Sequence, residues 1–194
     1  MQGVKVEETK LQGVVIVTPQ RFGDNRGFFS ETFSTRAMEA AGLPLLFVQD
    51  NLSRSAVKGT VRGLHCQAPP HAQAKLVRCL KGAIMDVAVD VRAGSETYGE
   101  WVGVELSDDN GAALLVPQGF LHGFATLTDD VDVFYKCSDH YAPDTEMSVR
   151  FDDPDLAIDW GVDPATVTLS EKDAQAGSLA AFETPFDMNE GLAT

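Results

Sequence analysis

Apolar and polar residues alternate with a period of two over much of this chain. Clusters of Gly, Pro, Asp and Asn interrupt the alternation, which is the pattern of half-buried antiparallel strands. In IMDVAVDVR, residues 84–92, Met85, Val87, Val89 and Val91 fall on one face and Asp86, Ala88 and Asp90 on the other. The same reading predicts strands over residues 14–18, 28–33, 61–67, 75–80, 101–106, 113–116, 123–127, 131–138 and 147–151. Helical signals are few. Residues 35–41 (TRAMEAA) run into Gly42, a suitable C′ residue, and residues 171–182 predict a helix opened by Ser170. Many short strands with frequent turns predict a mainly β fold, a jelly-roll barrel or sandwich with a few short helices, which is an architecture able to enclose a ligand. One domain is expected over residues 1–186, with residues 187–194 (DMNEGLAT) as a frayed tail.

Composition narrows the partners. At 194 residues, 44% hydrophobic and 23% charged, the chain is an ordinary globular one, long enough to bury a sizeable core. Its net charge of -14 and pI near 4.5 argue against nucleic acid, which is bound through clustered Lys and Arg, yet a local basic group can still hold one small anion. Cys66, Cys79 and Cys137 form no CxxC pair, so a reducing cytoplasm is expected. No apolar run approaches the roughly 20 residues of a spanning helix, and residues 1–12 lack a signal peptide's apolar centre, so no membrane is expected.

Four histidines can each be weighed. His65 lies in VRGLHCQ and His122 in PQGFLHGF, the latter matching P-x-G-x-x-H, a motif of the cupin barrels in which such a His often binds a metal beside an H-x-H pair and a Glu. Here Gln67 stands where the adjacent imidazole would be, which weakens the metal reading; a site of two histidines completed by a carboxylate stays open. His71 and His140 sit among turn residues and are expected to be solvated. In an ideal strand His65 shares a face with Val61, Gly63 and Gln67, Lys75 with Val77 and Cys79, and Tyr135 with Val131 and Val133. If those faces point inward, a His, a Lys and a Tyr meet in the cavity, where they are costly to bury without a partner.

The segment RGLHCQAPPHAQAKLVRCLKGAIMDVAVDVRAGSETYGEWVGVEL, followed in order by LLVPQGFLHGFATL, DVFYKCSDHYAPDTE and LSEKD, and preceded by FGDNRGFFSETF and FVQDNLS, resembles the dTDP-4-dehydrorhamnose 3,5-epimerase family from about Val14 to Asp173. Two positions depart from the family pattern: Cys66, where an aromatic residue is usual, and Glu96, where Pro is common. The resemblance implies a cupin-like barrel, no cofactor and no metal, and a dTDP-4-keto-6-deoxyhexose substrate whose C3 and C5 protons are acidified by the C4 ketone. It implies His65 as base, Asp173 orienting it, Lys75 near the enolate oxygen and Tyr135 as the acid on the far side. For binding it points to Arg62 and Lys172 near the diphosphate, Gln49 and Asn51 around the nucleotide, Tyr141 stacked on thymine, and His122 and Glu146 as further contacts. Phe22, Arg26 and Glu31 match a segment that reaches into a partner's site in a homodimer.

Plainer roles compete with these. Asp173, three residues after Ser170, also fits a capping box; Tyr135 also fits a strand rim, and Lys75 and Lys172 fit solvated surface charges. The segment around Phe22 is also an ordinary turn built from Gly23, Asp24, Asn25 and Gly27. Arg62 and His65, three apart, face opposite sides of a regular strand; a bulge at Gly63 would reconcile them. Beside epimerisation at both carbons stand a C3-only epimerase, a non-catalytic sugar-nucleotide-binding cupin and, more remotely, a metal-dependent cupin oxygenase.

Overall fold

A computed structural model of the chain describes residues 3–188. Two antiparallel sheets face each other across one apolar interior. The first has six strands: β1 (Val4–Glu8), β2 (Val15–Pro19), β10 (Ala113–Val116), β7 (Lys75–Lys81), β12 (Val131–Cys137) and β5 (Gln49–Ser55), in that spatial order. The second runs β13 (Glu146–Ser148), β6 (Val61–Gln67), β11 (Phe120–Thr126), β8 (Ala83–Asp90) and β9 (Trp101–Ser107). A separate hairpin joins β3 (Phe22–Asp24) to β4 (Gly27–Phe29). This is the jelly roll expected from the alternation, and the cupin-like form of it that the resemblance implies. Among the described residues no helix is long and apolar enough to cross a membrane.

Alternation explains the layering. The inward residues Val77, Cys79, Ile84, Ala88, Leu114, Val116, Phe120, Phe124, Val131 and Val133 form the interior between the sheets. The outward residues of the five-stranded sheet, Val87, Val89, Val91, Leu64 and Leu121, are sealed by a C-terminal wrap that supplies Phe151, Leu156, Trp160 and Phe186. Those of the six-stranded sheet, Val15, Val17, Leu76, Ala113 and Leu115, are covered by Met38 of α1 (Thr35–Ala40) with Val4, Val6, Phe33 and Leu43. Each fully buried Val or Leu contributes about 1.5–3 kcal/mol.

Both faces of β8 are therefore buried, and its alternation does not separate core from solvent. Asp86 and Asp90 lie wholly inside. Burial pushes the Asp90 carboxyl up, but hydrogen bonds from Arg92, Ser95 and Thr97 outweigh it and hold the group below the usual carboxylate range. The Arg92 guanidinium in turn stacks 4.4 Å from the Phe120 ring centroid, which fixes the rim of the barrel at this end.

Several expected elements shift. The 35–41 helix forms over Thr35–Ala40 and stops at Gly42, whose φ of +79° and N–H bond to Glu39 O suit a C′ glycine. The helix expected over 171–182 is only α2 (Glu171–Ala174), followed by a single 3₁₀ turn at Leu179–Ala181. Gly177 pairs with Val149, and Leu179 N donates to Asp153 Oδ2 at 2.8 Å, so the backbone there bonds to the wrap and not to itself. The strand expected over 28–33 is confined to β4, and that over 147–151 to β13. Strands β1, β3 and β5 were not expected. Of the tail, Asp187 bridges to Ala93 and Met188 N donates to Ala93 O at 3.0 Å; residues 189–194 lie outside the described ones.

Candidate active site

The site forms where β6 crosses β11. Arg62 is opposite Phe124 and His65 opposite His122, so two residues of β6, Gly63 and Leu64, face the single Gly123. That is a β-bulge. Because His122 and Phe124 share a face of β11, their partners His65 and Arg62 are brought to the same side, and Val61 and Leu64 turn to the outer cluster. The ideal-strand face that joined Val61 to His65 is thus corrected. Gly63 makes this fit possible: its φ is +123°, and a Cβ there would lie 2.5 Å from Gly123 Cα.

His65 Nε2 lies 2.5 Å from Asp173 Oδ1. A carboxylate only accepts, so Nε2 carries the hydrogen, and in the neutral ring Nδ1 is then the nitrogen with the lone pair. Asp173 sits in the first turn of α2. Its backbone N–H donates to Ser170 Oγ at 3.1 Å, while its carboxylate leaves the helix for His65. The capping role and the orienting role therefore coexist, divided between backbone and side chain. Burial pushes the Asp173 carboxyl up, but the hydrogen bond and charge of His65 outweigh it and keep the group below its usual range.

Tyr135 projects from β12 on the opposite sheet into the interior cluster. Burial, and then nearby Cys137, push its phenol up, with Arg62 partly opposing, so the hydroxyl keeps its proton at neutral pH. Lys75, opposite Cys137 and Val116, has the inward parity of Val77 and Cys79. Burial pulls its ammonium down, against the attraction of Cys137, Cys66, Glu146 and Asp86. His122 is buried, with Nε2 2.8 Å from Asp86 Oδ1. Asp86 was missed as a site residue because its alternation read as solvent-facing; its Oδ2 has no hydrogen-bond partner among the described residues.

At the rim, Tyr141 is exposed and its hydroxyl donates to Glu146 Oε2 at 3.0 Å, while Lys172 Nζ lies 2.5 Å from Glu146 Oε1. Burial pushes Glu146 up, and the bonds from Lys172 and Tyr141 reverse this, leaving it lowered. Gln49 accepts from Tyr141 N and donates to Asn51 Oδ1, and Asn51 Nδ2 points at Cys137 Sγ 3.5 Å away. Arg62 donates to Ser55 Oγ and Arg54 O. Phe22, Arg26 and Glu31 stand apart from this group. Arg26 turns back on Asp24 at 2.5 Å, and Phe22 and Glu31 border a hollow beside Gly3, Val4 and Ala37.

His71 is half exposed, its Nδ1 3.1 Å from Asp139 Oδ2, and His140 is exposed. Among the described residues no three His, Cys, Asp or Glu side chains converge as a metal site. Cys66 packs in the outer cluster opposite Met147, and burial pushes its thiol up to about 12.

Known proteins resemble this chain along nearly its whole length. The family model for dTDP-4-dehydrorhamnose 3,5-epimerase matches residues 8–181. A dTDP-4-dehydrorhamnose 3,5-epimerase of Sinorhizobium fredii is 46% identical over 191 residues, covering 96% of this chain and 97% of the relative. A dTDP-4-dehydrorhamnose 3-epimerase of Streptomyces niveus is 43% identical, covering 88% of this chain and 81% of the relative. The crystal structure of dTDP-6-deoxy-D-glucose-3,5-epimerase from Legionella pneumophila in complex with dTDP-4-keto-L-rhamnose superposes with a TM-score of 0.87 at 46% identity, covering 93% of this chain and 95% of that one. A family model that matches residues 8–181, with a relative 46% identical over nearly the whole of both chains, places this chain in the dTDP-4-dehydrorhamnose 3,5-epimerase family.

Proposed function

We propose that this chain is an isomerase that epimerises C3 and C5 of dTDP-4-dehydro-6-deoxy-D-glucose, giving dTDP-4-dehydro-L-rhamnose. The observation that carries the reading is the His65–Asp173 pair at one side of the barrel interior, with the protonated phenol of Tyr135 on the facing sheet. His65 Nδ1 takes the proton from carbon, and the electron pair enters the C4 carbonyl as an enolate. The Asp173 carboxylate stabilises the imidazolium that forms. Lys75 offers positive charge to the oxyanion, and Tyr135 returns a proton to the opposite face. Each epimerisation is redox-neutral and moves only protons, so it calls for no redox cofactor.

In this reading Arg62 and Lys172 bind the diphosphate, Gln49, Asn51 and Tyr141 the nucleotide, and His122 and Glu146 make further substrate contacts. One domain over residues 1–186 carries all of these groups. The free, buried Cys66, Cys79 and Cys137 suit a cytoplasmic enzyme. Turnover in heavy water tests the reaction: deuterium is expected at both C3 and C5. Label at C3 alone would assign the C3-only reaction, and label at neither carbon would leave a non-catalytic binder.

The active form is a homodimer in which the β3–β4 hairpin, with Phe22, Arg26 and Glu31, completes the partner's site. An isolated two-stranded hairpin is marginal in water, and this one pairs with no other strand among the described residues. Its Phe22, Phe28 and Phe29 are 41%, 60% and 63% exposed, an apolar surface that a second copy would cover. Light scattering is expected to give twice the chain mass of 20.9 kDa; a monomer at working concentration would reject the shared site.

A further inference from the structure

Gln67 ends β6, two residues beyond His65, and is only 4% exposed. Its amide is fully used. Nε2 donates to His71 O at 2.7 Å and to His140 O at 3.2 Å, and Oε1 accepts from Ala142 N at 3.0 Å. His140 and Ala142 flank Tyr141, and Tyr141 N itself donates to Gln49 Oε1 at 3.0 Å. Three consecutive residues are thus tied by their backbones to the ends of β5 and β6, while the Tyr141 ring stays exposed. A flat ring on an immobilised backbone is a preorganised stacking surface, which spares a ligand the entropy of ordering the loop.

We propose that Gln67 is a positioning residue for the nucleotide end of the substrate, acting through Tyr141. This rests on the sugar-nucleotide reading above. Where a metal-binding barrel of this type would hold a second imidazole, the chain holds a carboxamide whose bonds all go to the two loops that frame the rim. The chemistry demands an amide. Methionine at 67 would take away the partner of two carbonyls and one N–H, and glutamate would set a second acceptor against two carbonyl oxygens.

The test measures thymidine diphosphate binding by calorimetry, and kcat and KM for the sugar nucleotide. It uses wild type, Gln67→Met, Gln67→Glu, Tyr141→Ala and the two double variants. Both Gln67 variants are expected to bind thymidine diphosphate about tenfold more weakly and to raise KM by a similar factor, with kcat within about twofold of wild type. Each double variant is expected to bind no more weakly than Tyr141→Ala alone, since Gln67 acts through that ring. Unchanged affinity in a folded Gln67 variant, additive losses in the doubles, or a fall in kcat matching the rise in KM would overturn the assignment. Should Gln67→Met not fold, Gln67→Glu, which keeps the length and the acceptor for Ala142, carries the test. Failure of wild type to bind thymidine diphosphate would overturn the sugar-nucleotide reading itself and is read separately.

Discussion

Replacing His65 by asparagine is expected to lower kcat by about 10³-fold, within the range for loss of a general base, while thymidine diphosphate affinity stays within about twofold. The asymmetry follows from the geometry. Asparagine keeps a polar group at this place, although its amide reaches only about as far as the imidazole Nδ1 and falls short of the Asp173 carboxylate that Nε2 meets at 2.5 Å. What disappears is the basic nitrogen, and the proton on carbon has no acceptor. The residues proposed for the nucleotide, Tyr141 and Gln49, are held by a separate set of bonds at the rim. The measurement is deuterium wash-in at C3 and C5 beside calorimetric binding. A variant that loses binding and exchange to the same degree would show a structural histidine and end the proposed mechanism.

The second large effect concerns Gly63. A methyl group there would meet Gly123 Cα at 2.5 Å and His122 O at 2.8 Å, both backbone atoms in the middle of a sheet, and at a φ of +123° that L side chains rarely adopt. Neither neighbour can swing away as a long side chain would. Gly63→Ala is therefore expected to cost about 3 kcal/mol or more, combining backbone strain with overpacking. For a chain of this size that loss lowers the melting temperature by about 6–12 °C. Surviving folded molecules should also turn over slowly, because the same bulge brings Arg62 and His65 to one face. A melting temperature within about 2 °C of wild type, with normal kcat, would mean that the bulge is not what sets this face.

The sequence reading was strongest where one face of a strand is apolar and weakest where function makes both faces polar or both apolar. Residues 61–67 and 113–116 emerge with the bounds expected of them. Strand β5 (QDNLSRS) carried no apolar alternation, because its inward residues Gln49, Asn51, Ser53 and Ser55 present polar groups to the interior side. Its missing signal marked the side of the barrel proposed to bind the nucleotide. Asp86 was hidden for the opposite reason: with Met85, Val87 and Val89 apolar, the other face of β8 read as the wet one, although a wrap from the C-terminal segment dries both. The contact of His65 with Asp173, 108 residues apart, has no local signature, and only the resemblance joined them. The bulge was legible as a conflict between Arg62 and His65 that a neighbouring glycine could resolve.

The carboxylate that serves His65 rides on the strip of chain that closes over the outside of the five-stranded sheet. A fragment ending before residue 170 would keep every strand of both sheets yet lack the partner of its base. The proposed proton transfer thus depends on the part of the chain that is made last, and it is lost wherever that strip is missing from the outside of the sheet.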